Sequence, residues 1–156
     1  MKKTYKVNEI FYSLQGEGRN TGRAAVFIRF SGCNLKCSFC DTDFKLYHEM
    51  TAEAIVDAVR EWKTAGFVVL TGGEPTLQVD SQLIDALHAE DFYVAMESNG
   101  TNVPPPNLDW LTISPKEHVV VTECNELKCI FDGQKPVDDL GIEADYYYLQ
   151  PCDVGN

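Results

Sequence analysis

Phe67-Val68-Val69-Leu70-Thr71-Gly72-Gly73-Glu74-Pro75 is a short apolar run that stops at a threonine, a glycine pair and a proline. An apolar run this short, closed by glycine, reads as a strand buried on both faces. Glycine at the carboxyl end of such a strand lets main chain approach a ligand, the usual arrangement in α/β proteins. The flanks agree with that reading. Upstream, Met50-Thr51 opens a predicted helix with Thr51 as N-cap and Glu53 suited to the helix dipole. Ile55, Val56, Val59 and Trp62 recur at helical spacing and mark its buried face, and Gly66 terminates it. Downstream, a second helix over roughly residues 80–90 carries Leu83, Ile84 and Leu87 on one side.

The same alternation extends outward. Tyr5-Lys6-Val7-Asn8-Glu9-Ile10-Phe11-Tyr12 is a first strand, followed by a glycine-bearing loop over residues 13–23. Residues 24–30 are an apolar strand interrupted by Arg29, and a guanidinium there needs a partner: a carboxylate-bearing ligand or a neighbouring glutamate. Phe92-Tyr93-Val94-Ala95-Met96 is a further strand, leading to Glu97-Ser98-Asn99-Gly100-Thr101. Pro104-Pro105-Pro106 is expected to be extended and exposed. Strand candidates follow at residues 109–113, 119–121 and 126–131, and Asp145-Tyr146-Tyr147-Tyr148-Leu149 is the last. Strand, loop and helix in this order predict an α/β fold with a parallel sheet, outer helices and all ligand loops on one edge. With about six strands, and far fewer residues than the ~250 of a full barrel, the expectation is a partial, open TIM-like barrel in a single domain over residues 1–156.

Chemistry concentrates in Gly32-Cys33-Asn34-Leu35-Lys36-Cys37-Ser38-Phe39-Cys40-Asp41-Thr42, a C-x3-C-x2-C loop directly after the Arg29 strand. Three thiolates so close can converge on one metal centre. A structural zinc site closes with four ligands, whereas a four-iron cluster held by three thiolates keeps one iron open to a small molecule. His48, His88 and His118 leave a Cys3His zinc site open, although the paired spacing usual for zinc is missing. The remaining cysteines, Cys124, Cys129 and Cys152, are irregularly spaced, and buried thiols describe them better than an auxiliary cluster.

Bulk properties narrow the partners. The formal charge of −11, from 24 acidic and 13 basic residues, opposes nucleic acid and anionic membrane as bulk partners. An anionic small molecule remains compatible where the few cations gather. No uncharged apolar run approaches the roughly 20 residues of a membrane span, and Asn8 and Glu9 interrupt any signal core, so a cytoplasmic protein with reduced cysteines is expected.

Taken together, Gln15-Gly16-Glu17-Gly18, the Arg29 strand, the cysteine loop ending in Cys40-Asp41-Thr42, Thr71-Gly72-Gly73-Glu74-Pro75, Ser114-Pro115-Lys116, Glu126-Leu127-Lys128 and Leu149-Gln150-Pro151 resemble the 7-carboxy-7-deazaguanine synthase family. These are radical S-adenosylmethionine enzymes of queuosine and deazapurine biosynthesis. The likeness runs from about Tyr5 to Asp153.

The resemblance implies a [4Fe-4S] cluster on Cys33, Cys37 and Cys40, and Mg2+ on Thr42. It implies S-adenosylmethionine contacts from Phe39, Cys40, Asp41, Gly73, Ser114, Pro115, Lys116, Gln150, Pro151, Cys152 and Asp153. The pterin substrate would meet Leu14, Gln15, Gly16, Arg29 and Thr71, with Arg29 on its carboxylate. The implied reaction is hydrogen abstraction from 6-carboxy-5,6,7,8-tetrahydropterin, ring contraction and loss of ammonia, with no acid or base side chain assigned. A flavodoxin-like electron donor and a homodimer are also implied. The family continues past the Leu-Gln-Pro segment through a further helix and strand that close the pocket, whereas this sequence ends at Asn156. Two other readings share the cysteines: an activase that makes a glycyl radical on a partner protein, and a non-catalytic zinc-binding module.

Overall fold

The computed structural model describes residues 3–32, 47–116, 118–131 and 140–151. Its centre is one sheet in the order β3-β1-β2-β4-β5-β6-β7-β8. The strands are β1 (Thr4–Leu14), β2 (Ala24–Phe30), β3 (His48–Thr51), β4 (Phe67–Gly72), β5 (Tyr93–Ser98), β6 (Trp110–Ile113), β7 (Glu123–Phe131) and β8 (Glu143–Pro151). From β2 through β4 to β8 every neighbouring pair is parallel, which gives the six parallel strands expected of a partial barrel. β1 adds antiparallel to β2, and β3 adds antiparallel to β1.

The two faces of the sheet differ. One packs Ile28, Leu70, Met96, Ile113 and Leu127 against helices α1 (Ala52–Val59) and α2 (Ser81–His88), which contribute Ile55, Val59, Leu83, Ile84 and Leu87. On the other face a smaller apolar group gathers Ala25, Phe27, Phe67, Val69 and Ala95, with the Phe11 and Phe27 rings stacked 5.1 Å apart. Because side chains alternate along a strand, the residues two positions beyond that group, Arg29, Thr71 and Glu97, share its face at the carboxyl edge.

Several local expectations hold. Thr51 caps α1 by accepting from the Ala54 N–H at 3.1 Å, and Gly66 ends the next turn in the left-handed conformation. Others are corrected. The helix expected to run through Trp62 stops at Val59; a 3-10 segment, Arg60–Ala65, follows, and Trp62 itself has non-helical angles. Its indole packs against the core and stacks on Tyr12, so the apolar periodicity reports burial without an unbroken helix. Met50, expected to open the helix, belongs instead to β3 (His48–Thr51), which forms because β1 offers an open edge, and the helix starts at Ala52.

Val119–Val121 is not a strand. The N–H groups of Val120 and Val121 both donate to the Gly100 carbonyl, at 2.8 and 3.2 Å, so this segment straps the loop after β5. Glu97 and Ser98, past the expected strand end at Met96, complete β5. Pro104 and Pro105 are half-buried, and only Pro106 of the proline run is exposed. Among the described residues no helix is long and apolar enough to cross a membrane.

Candidate active site

Strand register builds the site. Arg29 pairs with Thr71, Glu97 with Thr112 and Thr112 with Glu126, while Thr71 and Glu97 each follow the pair Leu70 and Met96. Arg29, Thr71, Glu97, Thr112 and Glu126 therefore form one lateral row, near the carboxyl ends of the parallel strands and on the face away from the helices. Above this row lies a cleft of about 150 Å3, lined by Thr71, Gly72, Gly73, Glu74, Glu97, Ser98, Asn99, Ser114, Lys116 and Lys128. A larger cavity of about 450 Å3 lies at the opposite edge, beneath Pro104, Leu111, Glu123 and Asp145, and its lining holds none of the residues expected to bind cluster, cosubstrate or substrate. Ligand loops gather at the carboxyl edge in folds of this kind, so chemistry decides for the smaller cleft over the roomier one.

The glycine pair serves close packing. A Cβ at Gly72, where φ is +119°, would stand 2.3 Å from the Phe30 carbonyl oxygen, so only glycine lets β4 close against β2. Gly73 then donates to the Phe30 carbonyl at 2.9 Å, and the Glu74 N–H donates to the Gly32 carbonyl at 2.8 Å. Those bonds fix the described end of the segment entering the cysteine loop beside the cleft.

Glu74 is 1% exposed and fully occupied. Its carboxylate accepts from Ser98 Oγ at 2.7 Å, from the Asn99 N–H at 2.8 Å and from both the N–H and the hydroxyl of Thr76. A buried carboxylate bonded this way costs little to bury and pins the end of β4 to the end of β5.

The cations are distributed with purpose. The Arg29 guanidinium bonds Glu9 across the β1–β2 pair at 3.2 Å and sits 5.7 Å from the Phe11 ring centroid. The neighbouring-glutamate option is therefore realised, with Arg29 still at the cleft row. Lys128 is 8% exposed and donates to Glu17 at 2.6 Å. Burial alone would push its ammonium down, but the nearby carboxylates of Glu97, Glu17 and Glu126 outweigh it and hold Lys128 above its ordinary range.

Of the residues expected to act, the cleft brings together Thr71, Gly73, Ser114 and Lys116, with Ser114 held by its N–H on the Ser98 carbonyl at 2.8 Å. Pro115 lies half-buried between two of them. Leu14, Gln15 and Gly16 do not line it: Leu14 is exposed, and Gln15 turns its side-chain oxygen onto the Gly16 N–H at 3.1 Å. Gln150 and Pro151 fall in β8. Cys33, Cys37, Phe39, Cys40, Asp41, Thr42, Cys152 and Asp153 lie outside the described residues.

Sequence reading assigned no role to Glu97, Asn99 or Lys128. A charge next to an apolar strand residue, the signal that flagged Arg29, also stands at Glu97 after Met96, while Lys128 shares its strand with Glu126 and carries no such singular mark.

A partial barrel together with a C-x3-C-x2-C sequence following β2 defines the radical S-adenosylmethionine class, and a profile of the Radical SAM superfamily matches residues 27–115. A 7-carboxy-7-deazaguanine synthase of Bacteroides thetaiotaomicron is 50% identical over 153 residues, covering 97% of this chain and 84% of the relative. One from Burkholderia multivorans is 44% identical over 175 residues, covering 96% and 83%. The crystal structure of QueE from Escherichia coli superposes with a TM-score of 0.81 at 28% identity, covering 96% of this chain and 85% of that one. The chain belongs to the 7-carboxy-7-deazaguanine synthase family.

The residues fit a three-thiolate cluster on two counts. The donor set is soft thiolate, suited to iron–sulfur, and the described chain enters the loop at Gly32, whose carbonyl the Glu74 N–H holds at the edge of the cleft.

Proposed function

We propose that this chain converts 6-carboxy-5,6,7,8-tetrahydropterin to 7-carboxy-7-deazaguanine with release of ammonia. The observation that carries the reading is the shared edge: the entrance to the cysteine loop at Gly32 is bonded to Glu74, in the wall of the cleft holding Thr71, Ser114 and Lys116. The cluster, when bound, would give one electron to the sulfonium of S-adenosylmethionine and so start the radical chemistry.

The chain's own residues bind, orient and shield. Cys33, Cys37 and Cys40 would hold the cluster, and Thr42 a Mg2+ ion. Gly73 and Ser114, Pro115 and Lys116 are the described part of the cosubstrate site; Phe39, Asp41 and Gln150, Pro151, Cys152 and Asp153 would complete it. Arg29 and Thr71, adjacent in the register, would take the pterin carboxylate and an edge of its ring, with Leu14, Gln15 and Gly16 on the substrate's far side. A flavodoxin-like donor would supply the electron, and the working form would be a homodimer.

The test is anaerobic reconstitution followed by incubation with reductant, S-adenosylmethionine and the pterin. About four irons per chain and a deazapurine product are expected. Colourless protein with one zinc, or cosubstrate cleavage that never yields a deazapurine, would overturn the reading.

A further inference from the structure

Beyond the side chains that line the cleft, the loop joining β1 to β2 is held by two residues of a distant strand. Residues 15–23 fold over the face that carries the polar row: the Arg23 guanidinium sits 4.0 Å from the Phe67 ring centroid, and that of Arg19 4.8 Å from Tyr146. On β7, Glu126 is 3% exposed and accepts the Arg19 N–H at 2.7 Å, with Thr112 Oγ1 donating to it at 3.3 Å. A Cβ added at Gly18, where φ is +73°, would stand 2.3 Å from the same carboxylate. Two positions on, Lys128 takes the Glu17 carboxylate at 2.6 Å.

We infer that Glu126 and Lys128 are positioning residues that clasp the Gln15–Gly18 turn, and through it set where Leu14, Gln15 and Gly16 stand against the substrate. The inference rests on the proposed substrate role of those three residues. Its physical basis is independent of that role. Glu126 reads a main-chain N–H and the missing side chain of Gly18, so it recognises the turn's backbone shape. Lys128 reads the one carboxylate of the turn: its own side chain is 10% exposed, while that of Glu17 is 43% exposed, so the buried ammonium is the anchor and the carboxylate reaches in from the surface. The two contacts lie on one face of β7, 107 and 111 residues from their partners, and no local sequence rule would join them. The Gln15 N–H and carbonyl bond Arg23 and Gly22 at the base of the loop, at 2.9 and 2.7 Å, and the clasp adds ties from the turn to the far strand β7.

The experiment uses the reconstituted chain and three variants, Lys128→Met, Glu126→Ala and Glu126→Gln. Hydrogen exchange of the ligand-free chain reads the clasp alone: faster exchange confined to residues 15–23 is expected in Lys128→Met and Glu126→Ala. In turnover, both should raise KM for the pterin at least about tenfold, by more than they lower kcat, with iron content unchanged. Glu126→Gln keeps an oxygen for the Arg19 N–H and should recover most of the binding. Adding Glu17→Gln to Lys128→Met should make KM little worse, as expected when both residues serve one contact.

Exchange in residues 15–23 that is unaltered, or that rises equally in β2 and β4, would overturn the clasp. So would a pterin KM unchanged in both truncations while the unaltered chain makes product. If the unaltered chain makes no deazapurine, the proposed function fails instead, and the exchange result still decides the clasp.

Discussion

Arg29 is the residue on which substrate affinity should turn. Its bond to Glu9 orients the guanidinium, which stays 29% exposed at the cleft row. Arg29→Ala is expected to weaken pterin binding by about 2–5 kcal/mol with iron content retained. Unchanged affinity in a titration would reduce Arg29 to a structural partner of Glu9. Cys124 should be inert. Burial pushes its thiol up to about 11, and its S–H is directed at the Glu126 carbonyl at 3.2 Å. At pH 8 it should react with iodoacetamide far more slowly than a free cysteine, as peptide mapping would read. Rapid stoichiometric labelling would contradict that.

Among the elements, α2 has the most informative start. Asp80 caps it by accepting the Leu83 N–H at 3.1 Å, and its other contacts tie down β1: Tyr5 donates to it at 2.7 Å and Lys3 at 2.8 Å. Burial by itself would raise this carboxyl, but the hydrogen bonds from Lys3, Tyr5 and Leu83 outweigh it and hold Asp80 below its ordinary value. A carboxyl lowered in the folded state stabilises above its unfolded pKa, and that contribution disappears as pH falls through the lowered value. Asp80→Asn keeps a good cap but cannot ionise, so the acid-side loss of thermal stability should be shallower than in the unaltered chain. Asp80→Ala also removes the cap, costing about 1 kcal/mol at neutral pH. Equal acid sensitivity in the Asn variant would remove the ionised carboxylate from the account.

At the scale of the molecule, the close approach of β2 and β4 supports everything at the ligand edge. Gly72→Ala puts a methyl against the Phe30 backbone at a φ that other residues rarely adopt, so strand ends must part. The expected outcome is loss of iron uptake together with loss of the cleft, visible as colourless protein after anaerobic reconstitution. A brown, fully loaded Gly72→Ala protein would show that the edge tolerates a wider gap.

Much of this was legible beforehand. The apolar runs at residues 24–30 and 67–70, the caps at Thr51 and Gly66, and the cysteine spacing each depend on local chemistry, and each is written in adjacent residues. Trp62 misled because burial and helix share a periodicity, and Val119–Val121 because β-branched residues also suit a strap whose N–H groups bond one carbonyl.

The sequence by itself determined the class of fold and the thiolate loop, since both follow from short-range pattern. Only the tertiary structure decided that Glu74 joins two strand ends, that Glu97 stands beside Thr71, and that Lys128 meets Glu17 across 111 residues of chain. Contacts of that kind are set by strand register, and register is a property of the assembled sheet.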